Sequence, residues 1–170
     1  MKARTLVAAL ALSALSTLFG AAGCARAPDG TVDPLAGAQP VRGDVAFYLV
    51  AEDGAADART LPVLRPFPGQ EPRVALKPMP AIARGQIAQV ALSTDENGQA
   101  SLDLRLNEEG ARRLAQITRD NLGKRMAVVV GATAVSVATI QGEIPGGRLR
   151  IGGLAQGDAQ ALHRELTVAK

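Results

Sequence analysis

"LNEEGARRLAQITRDNLGKRMAVVVG", residues 106–131, decides the fold, because it joins an amphipathic helix to a buried strand in one run. Asn107 is a natural N-cap, since its short side chain can accept a first-turn backbone N–H. Glu108 and Glu109 follow where the positive end of the helix dipole favours acids. Ala111, Leu114, Ala115 and Thr118 recur at helical spacing with Ile117 beside them, so one stripe faces a core. Arg112, Arg113, Gln116, Arg119 and Asp120 fall on the wet side. Asn121 and Gly123 offer left-handed residues to end the helix, and Lys124 and Arg125 lie at its negative end. The uniformly apolar "MAVVVG" that follows is what a strand covered on both faces requires.

Working outward, "ASLDLRL" at residues 100–106 alternates, which puts Leu102, Leu104 and Leu106 inward and Ser101, Asp103 and Arg105 outward. Asn97 and Gly98 suit a tight hairpin with positive φ at both turn positions. That hairpin pairs residues 100–106 with a strand near 90–94, behind a short helical turn at 85–89. Asp95, Glu96 and Asn97 look faintly like a calcium loop, but Gly98 comes too early and no bidentate Glu follows. Downstream, residues 132–144 pair back through a turn at Gly131, residues 145–147 turn again, and 148–153 form a short strand. Residues 155–166 close the domain as a helix with Ala159, Leu162 and Leu166 inward. Upstream, residues 44–53 read as a strand with Val45, Phe47 and Leu49 on one face and Ala46, Tyr48 and Val50 on the other. Pro62, Pro66, Pro68, Pro72 and Pro78 then forbid a helix or a long central strand. Short edge strands are expected at 61–64 and 73–77. The expected fold class is α+β: a mixed or antiparallel sheet of short strands with two main helices packed on one face.

The chain of 170 residues suffices for one domain with a core, and its 47% apolar and 2% aromatic content makes that core aliphatic. Its formal charge of +3 is misleading, because Lys2 and Arg4 belong to a leader without acids; the remainder has 17 basic against 16 acidic residues. That balance gives no electrostatic case for nucleic acid.

The leader "MKARTLVAALALSALSTLFGAAGC" has a basic start, an apolar run from Leu6 to Phe19 and small residues before Cys24. This is the pattern of a secretory signal over residues 1–23. "AAGC" resembles the bacterial lipobox, with Ala21 where Leu is usual. The resemblance implies cleavage before Cys24, thioether lipidation of its sulfur and acylation of the new amino end. The alternative is a spare thiol behind an ordinary cleavage site. Cys24 is the single cysteine, so no internal disulfide can form. Residues 24–43 then read as the lipidated cysteine and a flexible linker rich in Pro, Gly and Ala, with an ordered arm as the alternative, and 44–170 as the periplasmic domain.

Residues 106–162 follow the order L-N-x-E-G-A, T-x-x-N-x-G-K, a V-V-V strand, G-G, I-x-G and a closing alanine-bearing helix. In this they resemble the head subdomain of the first periplasmic region of SecD, a subunit of the bacterial protein-export machinery. Residues 79–106 fit the segment before it. The resemblance implies an α+β head that touches extended or unfolded polypeptide. It carries Asn107, Glu109, Gly110, Thr118, Asn121, Gly123 and Lys124 over as motif residues, with a mainly structural role. The transmembrane helices and base subdomain of that family are not encoded in these residues, so the proton-coupled motor cannot be carried over.

No constellation for catalysis emerges. His163 is the single histidine, with no neighbouring nucleophile to form a relay. The glycines fit neither a phosphate loop nor a dinucleotide fingerprint. No metal ligand set and no cofactor are expected beyond covalent lipid on Cys24. The expected protein is a non-enzymatic lipoprotein of the cell envelope, held to a membrane through its lipid and facing the periplasm. Ala25, where Asp would favour inner-membrane retention, leans the reading towards the outer membrane. Its expected partners are an exported polypeptide or an envelope complex, with no nucleic acid. The alternative is a small-ligand-binding or enzyme-accessory lipoprotein, with a pocket between the sheet and the 107–121 helix.

Overall fold

The computed structural model describes residues 35–94 and 98–168. Nine strands and two helices follow one another: β1 Gln39–Pro40, β2 Val45–Leu49, β3 Arg59–Pro62, β4 Arg73–Leu76, β5 Ile87–Thr94, β6 Ala100–Leu106, α1 Glu108–Asp120, β7 Arg125–Val130, β8 Thr133–Thr139, β9 Arg148–Leu154 and α2 Gln156–Thr167. Single 3-10 turns occupy Arg84–Gln86 and Pro145–Gly147. The α+β class stands. The strands form three sheets, however, ordered β1-β5-β6-β9, β2-β7-β8 and β3-β4. All their pairings are antiparallel. The prolines explain the separate ribbon: they confine β3 and β4 to four residues each, too short to span the larger sheets.

The core follows from the alternation. Phe47, Val90, Leu102, Leu104, Leu114 and Leu166 are fully or almost fully buried in one cluster that joins both larger sheets to both helices. Strand β7 is apolar from Met126 to Val130 because each face meets a different cluster. Met126, Val128 and Val130 face the main core, while Ala127 and Val129 pack with Leu61, Val74 and Leu76 of the ribbon. Strand β2 divides in the same way, with Val45, Phe47 and Leu49 on the main side and Tyr48 and Val50 on the ribbon side. Ala159, Leu162 and Leu166 are the buried residues of α2, as its spacing required. The β5–β6 hairpin forms, and Gly98 has φ of 76°. Asn97 lies outside the described residues.

Two expectations need correction. Ser101 and Asp103 do point away from the Leu102 and Leu104 face, but they are buried, not solvated. The Ser93 hydroxyl donates to the Asp103 carboxylate and lies 2.7 Å from the Ser101 hydroxyl. Arg150 Nε donates to Asp103 Oδ1 at 2.8 Å. A carboxylate leaves water only when such partners replace it. Second, the last part of the expected linker is structured. Strand β1 pairs with β5, Val41 is buried, and the Arg42 and Gly43 amides both donate to the Leu166 carbonyl at 2.7 and 3.0 Å. Arg84 Nη2 donates to the Val41 carbonyl at 2.9 Å. The apolar Val41 and a side-chain-free Gly43 make this docking possible. Residues 24–34 lie outside the described residues.

A Cβ on Gly43 would clash with the Glu165 carbonyl oxygen, so the close approach requires glycine. Gly43→Ala is expected to cost about 1–3 kcal/mol, the usual penalty of overpacking. Denaturant unfolding checks this, and an unchanged midpoint would contradict the docked arm.

Candidate functional site

Helix α1 is fastened at both ends, and the motif residues are the fasteners. At its start, Asn107 Oδ1 accepts from the Gly110 amide at 2.8 Å, while Asn107 Nδ2 donates to the Gly85 carbonyl at 3.0 Å. Glu109 Oε1 accepts from Gln86 Nε2 at 3.0 Å. A Cβ on Gly110 would meet the Gln86 carbonyl oxygen at 2.6 Å. Together these three residues dock the Arg84–Gln86 turn on the helix.

At its other end, the fully buried Thr118 donates to the Leu114 carbonyl at 2.8 Å and accepts from the Ile144 amide at 3.0 Å. The Gly123 amide donates to the Ile140 carbonyl, and the Ile140 amide to the Lys124 carbonyl, each at 2.9 Å. Gly123 has φ of 77°, which glycine adopts without strain. Asn121 is not left-handed, as the sequence suggested; at φ −128° its side chain caps the Ile117 carbonyl at 2.9 Å. The Lys124 side chain is exposed. Gly147 packs instead beside the first turn of α1, where a Cβ would meet the Ala111 methyl at 2.6 Å.

The loop held by these bonds, residues 140–144, forms one wall of a cleft of about 370 Å³. The cleft opens between the face of β7 and β8, carrying Met126, Val128, Ser136 and Ala138, and Leu149, Arg150 and Ile151 of β9. Its floor belongs to the main core, where Met126, Val128, Ile140 and Ile151 are buried. Both flanking strands are sheet edges, since β8 ends the β2-β7-β8 sheet and β9 ends the other. A second, smaller hollow shares Ser136 and continues past Gly152, Gly153 and Phe67. Phe67 is 69% exposed at that end. At the other end, Arg119 meets Glu143 through two hydrogen bonds of 3.0 and 2.9 Å. That pairing holds the Glu143 carboxyl below the usual range and raises the Arg119 guanidinium.

None of the cleft-lining apolar residues carried a functional signal in the sequence. The motif residues are brought together around α1, behind the cleft and not within it. The seam between the sheet and α1, where the alternative reading placed a pocket, buries Leu114 and Thr118 fully. His163 is half-buried on α2, and its carbonyl accepts from Thr167 at 2.8 Å. Cys24 lies outside the described residues. Among the described residues no cluster of His, Cys, Asp and Glu could hold a metal, and no helix is long and apolar enough to cross a membrane.

Comparison with known proteins gives a consistent picture. The family profile "SecDF, P1 head subdomain" matches residues 59–167, more than half of the chain. The protein translocase subunit SecD of Sebaldella termitidis is 42% identical over 59 residues, covering 35% of this chain and 14% of that protein. SecD of Pseudomonas aeruginosa is 34% identical over 89 residues, covering 51% and 14%. The chain thus spans about a seventh of these relatives. A solved structure of SecDF, described as a membrane component that enhances protein export, superposes with a TM-score of 0.58 at 23% identity, over 77% of this chain and 64% of that one. A super-membrane-facing form of SecDF gives 0.55 at 22% identity, over 76% and 20%. These superpositions show a shared fold.

Thr118→Val keeps the shape of the helix end and leaves the Ile144 amide without its acceptor. A loss of about 1–3 kcal/mol is expected, the cost of an orphaned buried donor, measured by denaturant unfolding. Arg119→Ala is expected to return the Glu143 carboxyl towards the ordinary range, followed by NMR titration. A carboxyl lowered on folding contributes stability above its unfolded pKa and loses it as pH falls through the folded value. The wild-type pairing therefore helps at neutral pH and fades in acid, and a Glu143 titration unmoved by Arg119→Ala would contradict it.

Proposed function

The chain belongs to the SecDF P1 head subdomain family, and on that premise we propose that it is an envelope module that binds extended, apolar stretches of polypeptide in the cleft between β8 and β9. The observation that carries this reading is the pairing of an apolar floor with two strand edges. An edge strand offers main-chain donors and acceptors to an incoming extended chain, and apolar pockets take its alternate side chains. The cleft volume lies within the range of sites that enclose a small ligand or a few side chains. The role of its relatives in protein translocation and export supports polypeptide as the occupant. Binding by contact needs no nucleophile, metal or cofactor, and the module is read as non-enzymatic.

The same proposal places the protein on a membrane through lipid on Cys24, facing the periplasm, with the outer membrane favoured because Ala25 follows the cysteine. Each buried methylene contributes roughly 0.8 kcal/mol, so a multiply acylated cysteine holds its protein to a bilayer durably.

Two measurements test this. A reduced and alkylated, permanently unfolded polypeptide is expected to bind in fluorescence anisotropy, while its folded counterpart does not. Ala138→Lys, which fills the cleft from an exposed position on β8, is expected to weaken binding about tenfold or more, a loss of ~1.4 kcal/mol. Equal binding by that variant would remove the cleft from the account. Cys24→Ser is expected to move the protein from the membrane fraction to material released without detergent; retention as an acylated species would refute the anchor.

A further inference from the structure

We infer that the outer face of the β6–β9 pair, at Arg105 and Arg148, is a docking surface for the phosphate groups of an anionic phospholipid bilayer. Arg105 and Arg148 stand directly opposite in the β6–β9 register, so their side chains share one face of the sheet. Like charges so placed repel. Neither arginine has an ion pair or side-chain hydrogen bond among the described residues. The next pair on the same face shows how it accommodates an arginine when an acid is present: Asp103 is buried and binds Arg150 at 2.8 Å. Both oxygens of Asp103 are engaged elsewhere, Oδ1 by Arg150 and Oδ2 by Ser93.

A phosphate between Arg105 and Arg148 turns the repulsion into two attractions, and the planar guanidinium matches phosphate oxygens in pairs. A cavity of about 310 Å³ lies beside Arg148, along Asp103 and Arg150. Leu35 lines that same cavity, so the chain enters the described fold beside it. Residues 25–34 span at most about 35 Å when extended. With lipid on Cys24 this face stays within reach of the headgroups. That step rests on the Cys24 reading; the arginine geometry does not.

The test uses the full acylated chain in vesicles of phosphatidylcholine alone, or of equimolar phosphatidylcholine and phosphatidylglycerol. Arginine modification by phenylglyoxal is read by mass spectrometry, with Arg73 as internal reference. Arg105 and Arg148 are expected to react about fivefold more slowly in the anionic vesicles, the factor that ~1 kcal/mol per arginine near an anionic surface produces. Arg148→Gln is expected to remove most of the protection of Arg105. Equal rates in both vesicles would overturn the inference. The same slowing by inorganic phosphate in neutral vesicles would overturn it too, by showing a site for free oxyanions. Failure of the chain to remain on neutral vesicles would count against the Cys24 anchor alone, and the anionic-vesicle rates would still decide the arginine face.

Discussion

Helix α1 is clamped at both ends by hydrogen bonds between side chains and backbone, and the cleft exists because of that clamp. Its amino end holds the turn before β5 through Asn107, Glu109 and the close contact at Gly110. Its carboxyl end holds the loop after β8 through Thr118 and Gly123. Hydrophobic burial of Leu114 fastens the middle. Burial alone has no direction. The directional bonds choose where residues 140–144 sit, and so how far β8 stands from β9.

This separates two kinds of residue that a motif alone cannot tell apart. The motif residues lie behind the wall and determine its position. Many of the residues that line the open space are ordinary aliphatic side chains, Ile144 and Leu149 among them. A contact module needs no more, because apolar burial tolerates varied partners while strand edges demand only an extended backbone. Keeping the two edges unpaired with each other is the structural condition for such binding. The pinned loop meets it by keeping the ends of β8 and β9 apart.

Much of the fold was legible in the sequence because its signals were local. The N-cap at Asn107, the Leu102 and Leu104 alternation, the continuous apolar run of β7 and the prolines around β3 and β4 each act through their own neighbours. What escaped depended on distant partners. Asp103 reads as solvated until Ser93 and Arg150 are brought to it from other strands. Gln39 and Pro40 read as linker until β5 offers an edge. The division into separate sheets depends on how β7 is shared between two clusters, which no single segment encodes. The resemblance of residues 106–162 to SecD located the helix fasteners but not the cleft, since the cleft residues carry no distinctive pattern.

The most direct test of the central claim is an NMR titration of the isotopically labelled chain with an unfolded apolar polypeptide. The account predicts that perturbed backbone amides concentrate at residues 136–144 and 149–153, the two edges and the pinned loop, while those of α2 and the β3–β4 ribbon stay in place. Perturbations centred elsewhere, or none at saturating polypeptide, would contradict it.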